Sequence, residues 1–167
     1  MSEFTSQLFL RSFSPAEIIA TGGHLQLYAV TQDFSYTSDR LGRAVTVPAG
    51  LVTDFASIPR AVWDLLDPED PIIAWPSVVH DYLYGCGGRL PDGFTYTRDD
   101  ADAVLREAME FCGAGHFIRE AVYEAVEKFG GDHWRPAPPA PVVPVAALIR
   151  PLPKAAKKSV RAIRRRS

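Results

Sequence analysis

Apolar and polar residues alternate with a period near two in the first half of the chain and with a helical period in the second. Residues 25–30 (LQLYAV) read as a strand. Thr31-Gln32-Asp33 breaks the pattern, 34–37 resumes it, 38–43 reads as a turn, and 44–47 returns. Pro48-Ala49-Gly50 punctuates the chain before residues 51–54. These features predict one small antiparallel sheet built from local hairpins.

Helical spacing follows. Ser57 with Pro59 makes a plausible helix start, anchored by Trp63, Leu65 and Leu66. Pro76 is expected to open the next helix, with Val79, Leu83 and Cys86 as its buried stripe. Thr97 and Asp100 resemble a capping box for a helix that buries Leu105, Ala108, Met109 and Cys112. A last helix is expected to bury Ile118, Val122, Ala125 and Phe129 and to stop at Gly130-Gly131. The fold class is therefore α+β: a small antiparallel N-terminal sheet packed against three to four helices.

Beyond Trp134 the character changes. Five prolines between 136 and 144 favour a stiff extended linker over regular structure. The organisation is thus a compact domain over 1–134, a Pro-rich linker over 135–153 and a basic tail over 154–167 that could become helical on binding. A chain of 167 residues suits one domain with a proper core.

Charge sharpens this division. The last eighteen residues hold eight of the 18 basic residues and no acid. Ten cations then face all 20 acids on the rest, a net of −10. Lys154, Lys157, Lys158, Arg161, Arg164, Arg165 and Arg166 are the candidates for binding an anionic partner, nucleic acid or an anionic surface. Two cysteines, Cys86 and Cys112, are too few for a disulfide framework. No run approaches the about 20 apolar residues of a membrane span. The N-terminus lacks a signal-peptide pattern, which places the chain in the cytoplasm during synthesis.

Candidate chemistry gathers in VTDFASIPR at 52–60, VVHDYLY at 78–84 and RDDAD at 98–102. His80 and Asp81 interrupt an apolar run. Asp102 shares a helix face with Leu105 and Met109, so it points inward. Buried polar groups are costly unless they are paired or ligate a metal. His80, Asp81 and Asp102 could hold a divalent metal such as Zn, Mn or Fe, with Asp54 as ligand or base and a bound water for hydrolysis. Alternatively, His80 is a general base oriented by an acid, at the mouth of a cleft made by the loose 85–88 segment. The same residues also read as a structural network. In that reading Asp54 caps the helix from Ser57, Asp81 pairs with Arg60 or Arg98, and Asp102 caps its own helix. Cys112 and His116 read as a core thiol beside a surface histidine, and 113–115 as a helix–helix turn.

The three blocks, in this order and with Val47-Pro48-Ala49-Gly50 ahead of the first, resemble the domain-of-unknown-function family 1353 found in phages and prophages. The similarity runs over about residues 24–134. The resemblance implies a small tailed-phage or prophage protein with a compact α+β domain. Its pattern falls on Asp54, Ser57, Pro59, Arg60, His80, Asp81, Tyr84, Arg98 and Asp102, with Ser57, Arg60, Tyr84 and Arg98 in supporting roles. It brings no agreed activity. The expectation is a virion-associated neck, tail or baseplate component, or an accessory protein, partnered by other phage structural proteins. The alternative is a metal-assisted hydrolase of peptidoglycan or nucleic acid using His80, Asp81, Asp102 and Asp54.

Overall fold

A computed structural model describes residues 1–22, 26–55 and 70–134. The helix expected from Ser57, with Arg60 and Trp63, and the linker and basic tail all lie outside these residues.

Among the described residues six strands and four α-helices occur in an α+β arrangement. They are β1 (Glu3–Phe4), β2 (Leu10–Ser12), α1 (Pro15–Ala20), β3 (Tyr28–Val30), β4 (Phe34–Ser38), β5 (Arg43–Val47), β6 (Val52–Thr53), α2 (Pro71–Cys86), α3 (Arg98–Phe111) and α4 (His116–Phe129). A single 3-10 turn, Gly130–Asp132, follows α4.

The expected single sheet is two. One has the order β1-β4-β5 and the other β2-β3-β6, each antiparallel. The polar break at Thr31-Gln32-Asp33 moves the chain from one sheet to the other instead of merely interrupting a strand. Each sheet is completed by a short piece of the first twelve residues, Phe4 opposite Tyr36 and Leu10 opposite Val30. Two- and three-residue strands carry almost no alternation of their own, so the pattern did not reveal them; only their long-range partners define them. The β4–β5 hairpin does match its sequence, in register from Phe34 opposite Val47 to Ser38 opposite Arg43. Gly42 turns it at φ 65°.

Helix α2 begins five residues before the expected position. Asp70 caps it, its side chain accepting from Ile72 N at 2.9 Å, and Pro71 takes the first turn. Pro76 therefore lies inside the helix and does not open it. An Asp-Pro start satisfies an otherwise orphaned amide, and the interior proline is tolerated because tertiary contacts hold both halves. Val79, Leu83 and Cys86 are buried as expected, but so are Ile73, Ala74, Ser77, Val78, His80, Tyr82 and Tyr84. This helix is wrapped on nearly every side. The sheets cover it with Val30, Phe34, Tyr36, Val45, Val47 and Phe55. Its first turn, at Ile73, joins Leu105, Met109, Ala114, Val122 and Val126 from the other helices.

Helix α3 carries the expected capping box. Thr97 accepts from Asp100 N, and Asp100 accepts from Thr97 N at 2.9 Å. Cys112 ends it and Gly113, at φ 86°, turns the chain, so 113–115 is the anticipated helix–helix turn. In α4 the burial falls on Val122 and Val126. Phe129, expected in the core, is 58% exposed at the end of the helix. Among the described residues no helix is long and apolar enough to cross a membrane.

Candidate functional site

His80 and Tyr84 lie one turn apart on α2, and Asp102 comes from the second turn of α3. Their side chains meet at a single oxygen: His80 Nε2 is 2.9 Å from Asp102 Oδ1, and Tyr84 Oη donates to the same atom at 2.6 Å. The imidazole and phenol rings pack with centroids 4.1 Å apart. All three are sealed, at 0%, 1% and 3% exposure for His80, Asp102 and Tyr84. As a carboxylate Asp102 can only accept, in which case the proton of this pair sits on His80 Nε2. Burial, and then the bond to Asp102, push the Tyr84 phenol well above its ordinary pKa, which keeps it a neutral donor. Among the described residues, His80 Nδ1 and Asp102 Oδ2 are buried without hydrogen-bond partners.

The network is closed from outside by the end of α4. Trp134 packs edge-on against Tyr84 and Tyr96, with centroids 5.2 and 6.0 Å away. Gly130 passes so close that a Cβ there would lie 2.6 Å from Tyr84 Oη. Arg98 lies with Nη1 4.0 Å from Asp102 Oδ2 and donates to the Glu127 carbonyl at 3.0 Å, joining the start of α3 to the end of α4.

Asp81 faces elsewhere. Adjacent helical positions diverge by about 100°, and Asp81 accepts from the hydroxyl of Thr53 on β6. That hydroxyl also accepts from Phe55 N at 3.0 Å, making a tight turn in which Phe55 takes φ 55°. Phe55 is 1% exposed and packs on Tyr28 at 5.0 Å. Asp54 and Asp81, both half-buried, flank this turn.

Three expectations change accordingly. His80 does not line a cleft mouth, because α2 is covered there by α3 and by the chain after α4. The set His80, Asp81 and Asp102 is not assembled: two are bonded to each other and the third looks toward β6. Among the described residues no three His, Cys, Asp or Glu side chains converge as a metal-holding group. Nor does Asp102 cap its own helix; Thr97 and Asp100 do that, while Asp102 reaches inward as its spacing with Leu105 and Met109 implied. Ser57 and Arg60 lie outside the described residues. Cys112 is a half-buried thiol, pushed up to about 11 by burial, and the His116 side chain is 79% exposed.

Sequence reasoning missed two polar anchors. Thr53 is one; its signal was a threonine two residues before a buried aromatic. Glu107 is the other. It accepts from Tyr36 Oη at 2.8 Å and from the amides of Asp39 and Arg40, tying α3 to the β4–β5 turn. Nothing local marks it, because its partners lie about seventy positions away.

The class of protein is thus an α+β domain whose helices are clasped by a buried His–Asp–Tyr network. A model of the family described as protein of unknown function DUF1353 matches residues 28–126, more than half of the chain. The chain belongs to that family. No curated protein and no solved structure matches it.

Proposed function

We propose that this chain is a non-catalytic component of a tailed-phage or prophage particle, or an accessory protein of its assembly, in which the His80–Asp102–Tyr84 network is a structural clasp. One observation carries the non-catalytic part. His80, Asp102 and Tyr84 are at most 3% exposed, and His80 Nε2 and the Tyr84 hydroxyl both meet Asp102 Oδ1 rather than a substrate. Catalytic groups need reach to a reacting atom or a water. The phage setting rests on the resemblance of the TDFASIPR and HDYLY blocks. The basic residues from Lys154 to Arg166 suit an anionic partner within such an assembly.

The test has two parts. Elemental analysis of wild type beside His80→Ala is expected to find no stoichiometric Zn, Mn or Fe, and the variant is expected to melt earlier. Mass spectrometry of particles purified from a host carrying the gene is expected to find the chain at a fixed copy number. One metal per chain, lost in a folded variant, would overturn the clasp. A chain absent from the particles and without effect on their assembly would overturn the particle role.

A hydrolase is the second reading, favoured by a different observation: the left-handed backbone of Phe55, a conformation that tends to mark functional sites, beside the half-buried Asp54 and Asp81. In that reading Asp54 and Asp81, not His80, do the acid–base work. Asp54→Asn would then abolish peptidoglycan or nucleic-acid cleavage while leaving the melting transition unchanged.

A further inference from the structure

Among the described residues, strand β5 has a strand neighbour on one side only. In the sheet β1-β4-β5 it is an edge, paired with β4 over five consecutive positions without a bulge. Edge strands are usually guarded by proline, inward charge, a bulge or a covering segment, because their free amides and carbonyls recruit another strand. Arg43-Ala44-Val45-Thr46-Val47 has no proline, and its exposed positions are the small Ala44 and Thr46. Val45 and Val47 are anchored in the core, which turns Ala44 and Thr46 outward.

Beside it lies a cleft of about 200 Å³ bounded by Arg43, Thr46, Tyr82, Leu90, Pro91 and Asp92. Tyr82 and Leu90, at 7% and 6% exposure, give it an apolar floor, and burial raises the Tyr82 phenol so that it stays neutral. The volume suits one side chain of a partner better than a drug-sized molecule.

The rim is cationic although the body as a whole is acidic. Arg43 stacks on Phe94 with its guanidinium 4.5 Å from the ring centroid, and it pairs with Asp92. Asp92 Oδ1 is committed to Phe94 N at 3.1 Å, and Arg43 Nε is buried with no acceptor among the described residues. Arg89 is exposed and stands next to the same turn, its Nη2 3.8 Å from where a Gly93 Cβ would be. It makes no ion pair with a described residue. Two guanidinium groups against one carboxylate leave a local positive charge.

We propose that the β5 edge binds an extended, acidic peptide segment of a partner protein by strand addition. The segment's backbone pairs with β5, a small apolar side chain enters the cleft over Tyr82 and Leu90, and a carboxylate one register position away meets Arg89. Main-chain pairing supplies affinity, while the cleft and Arg89 supply selection.

The experiment is an NMR titration of the full chain with a capped five-residue peptide alternating valine and glutamate. Saturable amide shifts are expected at 43–47 and 89–92. Binding should weaken about tenfold or more when the glutamates become lysines, and likewise in Arg89→Glu, whose exposed site leaves folding intact. N-methylation of alternate peptide amides should abolish binding. Equal binding of the lysine peptide would remove the charge argument and overturn the proposal. So would binding that survives N-methylation, or the same shifts produced by sodium glutarate alone, since the cleft would then be a small-carboxylate site. A β5-to-β5 dimer in sedimentation that the peptide fails to dissociate would give the edge to a second copy and equally overturn it.

Discussion

Two donors share one oxygen of Asp102, so the three side chains of the clasp are unequal in what their loss does. Removing Tyr84 Oη deletes one bond to a charged acceptor and leaves His80 in place. Tyr84→Phe should cost about 1.5–3 kcal/mol, read as a shift in the urea midpoint with the slope unchanged. Asp102→Ala should cost more, because it strands both donors in an apolar setting, and a Tyr84→Phe/Asp102→Ala double variant should be less destabilised than the two singles sum to. Gly130 is constrained by space, since the contact is with a tyrosine locked by its own bond. Gly130→Ala should cost about 1–3 kcal/mol by forcing Tyr84 off Asp102, and Tyr84→Phe, which removes the clashing oxygen, should recover part of it. If Gly130→Ala is neutral in chemical denaturation, the end of α4 is not the lid of the network.

Among the elements, α3 is the one whose limits could be read before its packing. Its capping box was visible in Thr97 and Asp100, and its buried face in Leu105, Ala108 and Met109, because an exposed outer side preserves the helical period. Its N-terminus also responds to pH. The Thr97 backbone amide, then the Thr97 hydroxyl and Arg40, hold the Asp100 carboxyl below the ordinary aspartate value despite partial burial. A carboxylate lowered on folding stabilises the native state above its unfolded pKa and loses that contribution as pH falls through the folded value. Wild type should therefore lose stability on acidification from about pH 5 downward. Asp100→Asn, less stable at neutral pH, should show a shallower acid limb in melts taken at successive pH values. Thr97→Ala should cost about 1 kcal/mol. Helix α2 taught the opposite lesson. It is buried nearly all round, so its apolar residues have no period to read. Pro76 looked like a start because nothing in the local pattern shows that two cores grip the helix from either side.

For the whole molecule, the separation of charge is what matters. The eight cations at the C-terminal end and the net −10 elsewhere make the chain a dipole in composition. If the tail meets DNA, each phosphate contact releases counterions, and affinity should fall steeply with salt. A triple variant, Arg164→Ser, Arg165→Ser and Arg166→Ser, should flatten the slope of log affinity against log salt by about 3 in fluorescence anisotropy. An unchanged slope would place the anion-binding surface elsewhere.

The sequence by itself determined the α+β class, the β4–β5 hairpin, the caps of α3 and the inward turn of Asp102, because each depends on residues a few positions apart. Two sheets in place of one, the strands at Glu3–Phe4 and Leu10–Ser12, and the choice of Tyr84 and His80 as partners for one carboxylate were decided only in three dimensions. These features rest on contacts between distant segments, where a short strand or a polar side chain gains its meaning from the surface that happens to cover it.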